Sequence, residues 1–309
     1  MFSRRIAALG LSIALALAAS VAGAEPPLAT PAPSPPAVKK PDKPKEPPLV
    51  WTGRDLHIAD YAITGAFLAG AVVETLLPVG NDPKRAGGVL FDDAARDVMV
   101  LHRPVDRATA DSFSDVFLFA LSAYPAIDAG ASAWLYRSSP RVAWNMFIID
   151  MQALSFTYLV TGGIKRIADR ARPIAGECEK DMSHDPTCGT AGSHYSFLSG
   201  HTSMSFTGAG LVCLHHSQLA LLGTNGDVLS CVGSITMASI VGLSRIAADK
   251  HYASDVISGA ALGLFSGALM PYLLYYLPGK SPAALKVGGG FITPVAGQSF
   301  LGATWAGAL

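Results

Sequence analysis

Six long apolar stretches, at 57–77, 113–136, 142–164, 202–223, 228–244 and 256–277, dominate the chain beyond its first fifty residues. Little period-two alternation interrupts them, so the pattern predicts helices rather than strands. The last three carry no Asp, Glu, Lys or Arg up to Ser244, and the final one approaches the length of about 20 residues that crosses a bilayer. Gly259, Gly263 and Gly267 recur every four residues along it, a smooth stripe suited to close helix packing. The pattern therefore predicts an all-α, six-helix bundle that crosses a membrane.

The first three stretches are less simple. They carry Asp60, Glu74, Asp115, Asp128 and Asp150, and an acid at the centre of a span costs about 2.5–3.5 kcal/mol on the insertion scale. Either these acids pair inside the bundle or the helices belong to a water-soluble core. Phe91–Leu101 reads as an amphipathic helix, interfacial or simply at the surface, with Asp92, Asp93, Arg96 and Asp97 on its polar side.

The ends of the chain differ in character. Residues 1–24 have the form of an export signal: Arg4 and Arg5, an apolar run from Ile6 to about Ala18, and Ala22-Gly23-Ala24 before Glu25. Residues 25–50 form a linker with ten prolines between Pro26 and Pro48 and four interleaved lysines. A helical domain is expected over 51–277, and a tail over 278–309 with an alternating stretch that suggests a hairpin turning near Ala296-Gly297. The expected location is a bacterial-type inner membrane with the site facing the periplasm, the alternative being a soluble periplasmic protein. One conflict stands: a cleaved signal followed by three crossings leaves the segment after Lys165 in the cytoplasm.

Composition narrows the field. Apolar residues make up 50% of the 309 positions and charged ones 15%, richer and poorer respectively than in a typical soluble domain. Lys plus Arg balance Asp plus Glu at 23 each, so there is no basic field to attract nucleic acid. Cys178 and Cys188 lie in a polar loop and suit a disulfide in an exported protein. Cys213 and Cys231 fall in apolar stretches and read as small buried hydrophobes.

Three clusters carry chemistry. Lys165 and Arg172, seven apart, are expected on one face of a helix that Pro173 stops. Ser199-Gly200-His201 precedes an apolar run, at a helix N-terminus whose unpaired N–H groups favour an anion. Ser244-Arg245 is followed by His251 and Asp255, four apart, close enough for a carboxylate to orient an imidazole. Taken singly, each has an ordinary explanation: a basic helix flank, an N-cap, a structural hydrogen bond. Taken together they supply three cations, backbone donors, a nucleophile and a proton donor, which is what a phosphoryl group requires. No His-Glu-x-x-His, aspartate-rich loop or zinc-spaced cysteine pair suggests a metal.

In this order, Lys-x6-Arg-Pro, Ser-Gly-His and Ser-Arg-x5-His-x3-Asp, the motifs resemble those of the type 2 phosphatidic acid phosphatase and vanadium haloperoxidase superfamily. They span 165–255 within a core of about 145–277, and Leu198 stands where that family usually has proline. The resemblance implies a cofactor-free phosphatase in which His251 attacks phosphorus, Asp255 holds its ring and His201 protonates the leaving alkoxide. Lys165, Arg172, Arg245, Ser199 and the Gly200 N–H would bind the phosphoryl oxygens, with Ser244 in support. The implied substrate is a lipid phosphate or pyrophosphate. Alternatives are a soluble broad-specificity acid phosphatase, a vanadium haloperoxidase, and a non-catalytic phosphate-binding membrane protein.

Overall fold

The computed structural model describes residues 47–77, 87–182, 185, 188–189 and 194–279, with the backbone of 285–287, 290–297 and 300–307. The expected export signal and the linker up to residue 46 lie outside the described residues. Six long helices form the bundle. They are α1 (Ile58–Leu76), α3 (Pro104–Asp128, prolonged by a wider π-helical turn over Ala129–Tyr136), α4 (Pro140–Ala168), α6 (Gly200–Leu219), α7 (Thr224–Ala247) and α8 (Ala253–Leu264, continued through π-helical turns to Tyr276). Short helices α2 (Asp92–Met99) and α5 (Ala175–Lys180) lie in the connections. The expected hairpin is present in a three-stranded antiparallel meander, β1 (Leu285–Val287), β2 (Gly290–Gly297) and β3 (Phe300–Gly307), in which Gly297 pairs with Phe300.

Five of these helices, α1, α3, α4, α7 and α8, are long and apolar enough to cross a membrane. Their outward faces carry exposed Val72, Phe119, Trp134, Leu229, Ile257 and Leu273, the surface of a protein whose solvent is lipid. The sixth, α6, is the axis. Most of its side chains are buried, and α3, α4, α7 and α8 all pack against it.

The glycine stripe explains how α6 comes to be so enclosed. A Cβ at Gly259, Gly263 or Gly267 would stand 2.7, 2.5 or 2.2 Å from the carbonyl oxygens of Ser199, Ser203 and Thr207. The α8 backbone thus lies directly on the α6 backbone over two turns, a distance only glycine permits. From the other side Gly208 presses on the Leu121 carbonyl of α3. Hydroxyls fill the remaining polar requirement inside: Thr157 bonds Thr207 and Ser266 at 2.9 and 2.6 Å, and Thr161 bonds Ser203 at 3.0 Å.

Every acid that complicated the first three stretches has a partner. Asp60 pairs with Arg54 at 2.7 Å, Glu74 with Arg166 at 3.1 Å, Asp115 with His201 at 2.6 Å, Asp128 with His216 at 3.1 Å and Asp150 with His215 at 2.9 Å. Pairing within the bundle, rather than a soluble core, is how these helices keep their acids. His215 and His216 are therefore polar links within the bundle, His216 also meeting Asp227 at 2.6 Å.

Two further expectations change. Cys213 and Cys231 are not free hydrophobes but a disulfide, with Cα atoms 4.4 Å apart; the short turn from α6 into α7 lays the two helices side by side and brings them together. Cys178 and Cys188 are joined as well. In α2, Asp92 turns inward instead of to the polar face, because Val89 N, Ser254 N and Arg170 all donate to its carboxylate.

Gly263→Leu should lower thermal stability by about 1–3 kcal/mol or abolish a monodisperse product, whereas Gly233→Ala, with no atom near its Cβ, should leave both unchanged. Melting temperature and size-exclusion profile of the purified variants check this.

Candidate active site

The predicted clusters meet at one end of the bundle, where α4 and α7 end and α6 and α8 begin. His215, on the same helix as His201, marks the opposite end, fourteen residues or roughly 21 Å away.

Lys165 lies in the last turn of α4, but that helix stops at Ala168, four residues short of Arg172. Asp169 takes a left-handed conformation, φ 43°, and ends it. Arg172 is therefore not on the face that carries Lys165, as the spacing suggested; an extended segment brings it back instead. Loop carbonyls tie both cations: Lys165 Nζ donates to Tyr195 O at 3.1 Å and Arg172 Nε to His194 O at 3.1 Å. The Lys165 ammonium lies 3.7 Å from where a Gly200 Cβ would stand, directly at the mouth of α6. His184, in the same connection as His194, lies outside the described residues.

Ser199 caps α6. Its Oγ accepts from Thr202 Oγ1 at 2.9 Å and from Thr202 N at 3.4 Å, which leaves its own proton to donate. The N–H groups of the first turn face the mouth with no carbonyl partner in the helix, a ready anion site.

Arg245 is almost wholly buried near the end of α7. Its Nη1 donates to the Asp111 carboxylate and, at 2.8 Å, to Ser114 Oγ, both on α3. Ser244 departs from expectation, for its hydroxyl donates back to Ile240 O at 2.8 Å. Adjacent helical positions point about 100° apart, so with Arg245 turned into the bundle its neighbour faces elsewhere.

His251 precedes α8 and Asp255 lies in its first turn. The imidazole Nδ1 is 3.6 Å from Asp255 Oδ2, so the ring presents Nε2 away from the carboxylate. Asp255 is itself held by four donors: Ser196 Oγ, Tyr252 N at 2.9 Å, and Arg170 Nη1 at 2.8 Å on its other oxygen, while its backbone carbonyl accepts from Ser199 N at 3.1 Å. That last bond ties the start of α8 to the start of α6, and hence one histidine-bearing turn to the other.

The electrostatics follow from this crowding. Burial, then Lys165, Arg172 and Arg245, hold the His251 ring well below the usual histidine range, and therefore neutral. Burial and Arg245 bring Arg172 down to about 10, which leaves it charged at neutral pH. His201 is pushed the same way as His251, first by burial and then by Arg245 and Lys165, with Asp111 opposing. Among the described residues no cluster of ligating side chains could hold a metal.

The sequence pattern missed the α3 carboxylates of the site. Asp111 meets Arg245 and lies 3.7 Å from Lys250, and Asp115 meets His201. Their four-residue spacing on one face of α3 was the available signal, since helical neighbours at that interval point together. Arg170, bridging Asp255 and Asp92, was visible only as part of a basic run.

The arrangement can grip a tetrahedral anion between three cations and a helix N-terminus, with an imidazole from each of two separate turns beside it. Residues 151–278 match the PAP2 superfamily model. Over 93 residues the chain is 37% identical to a lipid phosphate phosphatase 2 of Arabidopsis thaliana, covering 29% of this chain and 32% of that protein. Over 81 residues it is 41% identical to a lipid A 1-phosphatase of Porphyromonas gingivalis, covering 26% of this chain and 16% of that one. Only a third or less of either relative's length is thus spanned. A solved transmembrane PAP2-type phosphatidylglycerolphosphate phosphatase from Bacillus subtilis aligns over 69% of this chain and 94% of its own, with 19% identity and a TM-score of 0.44. The three motifs gathered into one cluster all lie inside the matched segment, so residues 151–278 are similar to the PAP2 superfamily domain.

Proposed function

We propose that this protein is a metal-independent phosphatase that hydrolyses a lipid phosphate ester or pyrophosphate through a phosphohistidine. The observation that carries the reading is the convergence of His251 and His201 on a site lined by Lys165, Arg172 and Arg245, with Asp255 behind the first ring. Binding alone needs cations; it needs neither a neutral imidazole backed by a carboxylate nor a second one beside it.

In the first step the lone pair of His251 Nε2 forms a bond to phosphorus as the ester P–O bond breaks. The departing oxygen takes a proton from His201. Lys165, Arg172, Arg245, the Ser199 hydroxyl and the first N–H groups of α6 hold the phosphoryl oxygens, whose charge grows in the transition state. Water then attacks phosphorus, His201 accepts its proton, and the P–N electron pair returns to His251. Asp255 stabilises the ring while it carries positive charge. Ser244 has no part in this scheme, its hydroxyl being bound within its own helix.

A lipid substrate fits a site that opens at the end of helices with lipid-facing sides, and the matched relatives bear the names of lipid phosphatases. Phosphatidic acid, phosphatidylglycerol phosphate, undecaprenyl pyrophosphate and lipid A form the test panel. We further infer that the site faces the periplasm. The Cys178–Cys188 disulfide lies in the connection that also carries Arg172 and Tyr195, and disulfides persist on the oxidising side; the Cys213–Cys231 pair joins two helices within the bundle and does not bear on sidedness. In this orientation, with α1, α3 and α4 all running the length of the bundle, the described residues 47–57 before α1 lie on the cytoplasmic side. Removal of residues 1–24 as an export signal would not be compatible with that.

Phosphate release from the lipid panel by purified protein, with vanadate as competitive inhibitor, tests the activity. His251→Ala should abolish turnover, and Arg245→Ala should lower it about a hundred- to a thousand-fold with the melting temperature retained. Wild-type rates in a folded His251→Ala protein would overturn the assignment.

Because His251 is held neutral, it becomes protonated only as pH falls below the ordinary histidine value of about 6.5. The acid limb of kcat/KM should therefore lie below that pH. Labelling of cysteines introduced at His57 and at Glu179 by an impermeant maleimide on whole cells should modify the second site only.

A further inference from the structure

The phosphatase mechanism asks His201 for a proton, yet its surroundings oppose the protonated ring. Arg245, Lys165 and Arg172 all act on it from α7, α4 and the segment after α4, and His251 lies across the site. On the α3 side stand two carboxylates. Asp111 has Arg245 as its partner, with Lys250 at 3.7 Å. Asp115, one turn further, stands 4.0 Å from Arg245 Nη1 but 2.6 Å from His201 Nε2. Its nearest charged partner is therefore the imidazole.

That contact constrains the chemistry of the ring. With Nε2 bound to a carboxylate, Nδ1 is the atom left for the substrate. A neutral ring keeps its single proton on Nε2, against the carboxylate, and offers only a lone pair at Nδ1. To donate from Nδ1 the ring must carry both protons, and an adjacent carboxylate is what stabilises that form among cations.

We propose that Asp115 is a positioning residue for His201, holding the ring with Nε2–H on the carboxylate and Nδ1–H toward the leaving oxygen. The proposal rests on the phosphatase reading. It gives the site two carboxylate–imidazole pairs of opposite duty. Asp255 backs the ring that must be neutral to attack, and Asp115 backs the ring that must be charged to donate. As the P–O bond breaks, its electron pair goes to oxygen, which takes the Nδ1 proton; His201 remains neutral with Nε2–H still on Asp115. In the second half, Nδ1 takes a proton from the attacking water and the pair is restored.

The His201–Asp115 pair lies at the rim, with 53% of the Asp115 side chain exposed, so Asp115→Asn changes charge with little change of packing. The test compares full-length wild-type, Asp115→Asn and Asp115→Glu proteins in detergent. One substrate is a short-chain phosphatidic acid, whose alkoxide must be protonated on leaving; the other is p-nitrophenyl phosphate, whose phenolate leaves without help.

Asp115→Asn should lower kcat on the alkyl ester about ten- to a hundred-fold while changing the aryl ester by less than about threefold, since the general acid matters only for the poor leaving group. The alkaline limb of kcat on the alkyl ester should move to lower pH, because loss of the carboxylate lets His201 lose its proton earlier. Asp115→Glu should restore part of both effects. Partial misfolding scales both substrates alike, so the ratio isolates the effect on proton donation. Equal losses on both esters with an unmoved alkaline limb, or no loss on either, would overturn this inference while an active wild type upheld the phosphatase reading. Wild-type inactivity on both substrates would overturn the two together.

Discussion

Backbone-to-backbone contact between α8 and α6 is the constraint on which the rest of the molecule depends. Gly259, Gly263 and Gly267 set the α8 chain against the carbonyls of Ser199, Ser203 and Thr207, and the bond from Ser199 N to Asp255 O closes the same seam at its end. The first of these contacts is with the very residue that caps α6. The packing that encloses the central helix therefore also sets where its N-terminus lies relative to His251 and Asp255. A side chain on that stripe would push the two histidine-bearing turns apart, so fold and site share one seam.

Around the site like charges are crowded, and the structure shows what balances them. Loop carbonyls of His194 and Tyr195 accept from Arg172 and Lys165. Carboxylates of α3 meet Arg245 and His201, and Arg170 joins Asp255 to Asp92 across α2. Each cation thus has a fixed partner, which holds it at the mouth of α6, where the proposed substrate's phosphoryl group would lie. Fixed donors of this kind need little reorganisation as charge develops, the main source of electrostatic catalysis.

The same balance recurs away from the site. Asp60, Asp128 and Asp150 are buried among apolar helices, and each is matched to Arg54, His216 or His215. A lone carboxylate there would carry a cost of several kcal/mol; a paired one instead fixes which helices are neighbours. The helices keep their apolar faces for lipid and place their few charges inward, at the two ends of the bundle.

How much of this could be read in advance differs from residue to residue. The six helices, the glycine stripe and the candidacy of Lys165, Arg172, Ser199, His201, Arg245, His251 and Asp255 for one cluster were legible in the sequence, because hydrophobic period and short motifs are local properties. The disulfide of Cys178 with Cys188 was legible too, both cysteines lying in one loop. The partners of the acids, the Cys213–Cys231 bridge, the inward turn of Asp92 and the contacts of Asp111 and Asp115 at the site were not. Each joins residues on different elements, and their meeting depends on which helix faces lie together. The amino-acid order determines which chemical groups the chain carries and how far apart they lie along it. Only the packed bundle decides which of them touch, since contacts between distant residues follow from the close approach of whole helices and leave no trace in local spacing.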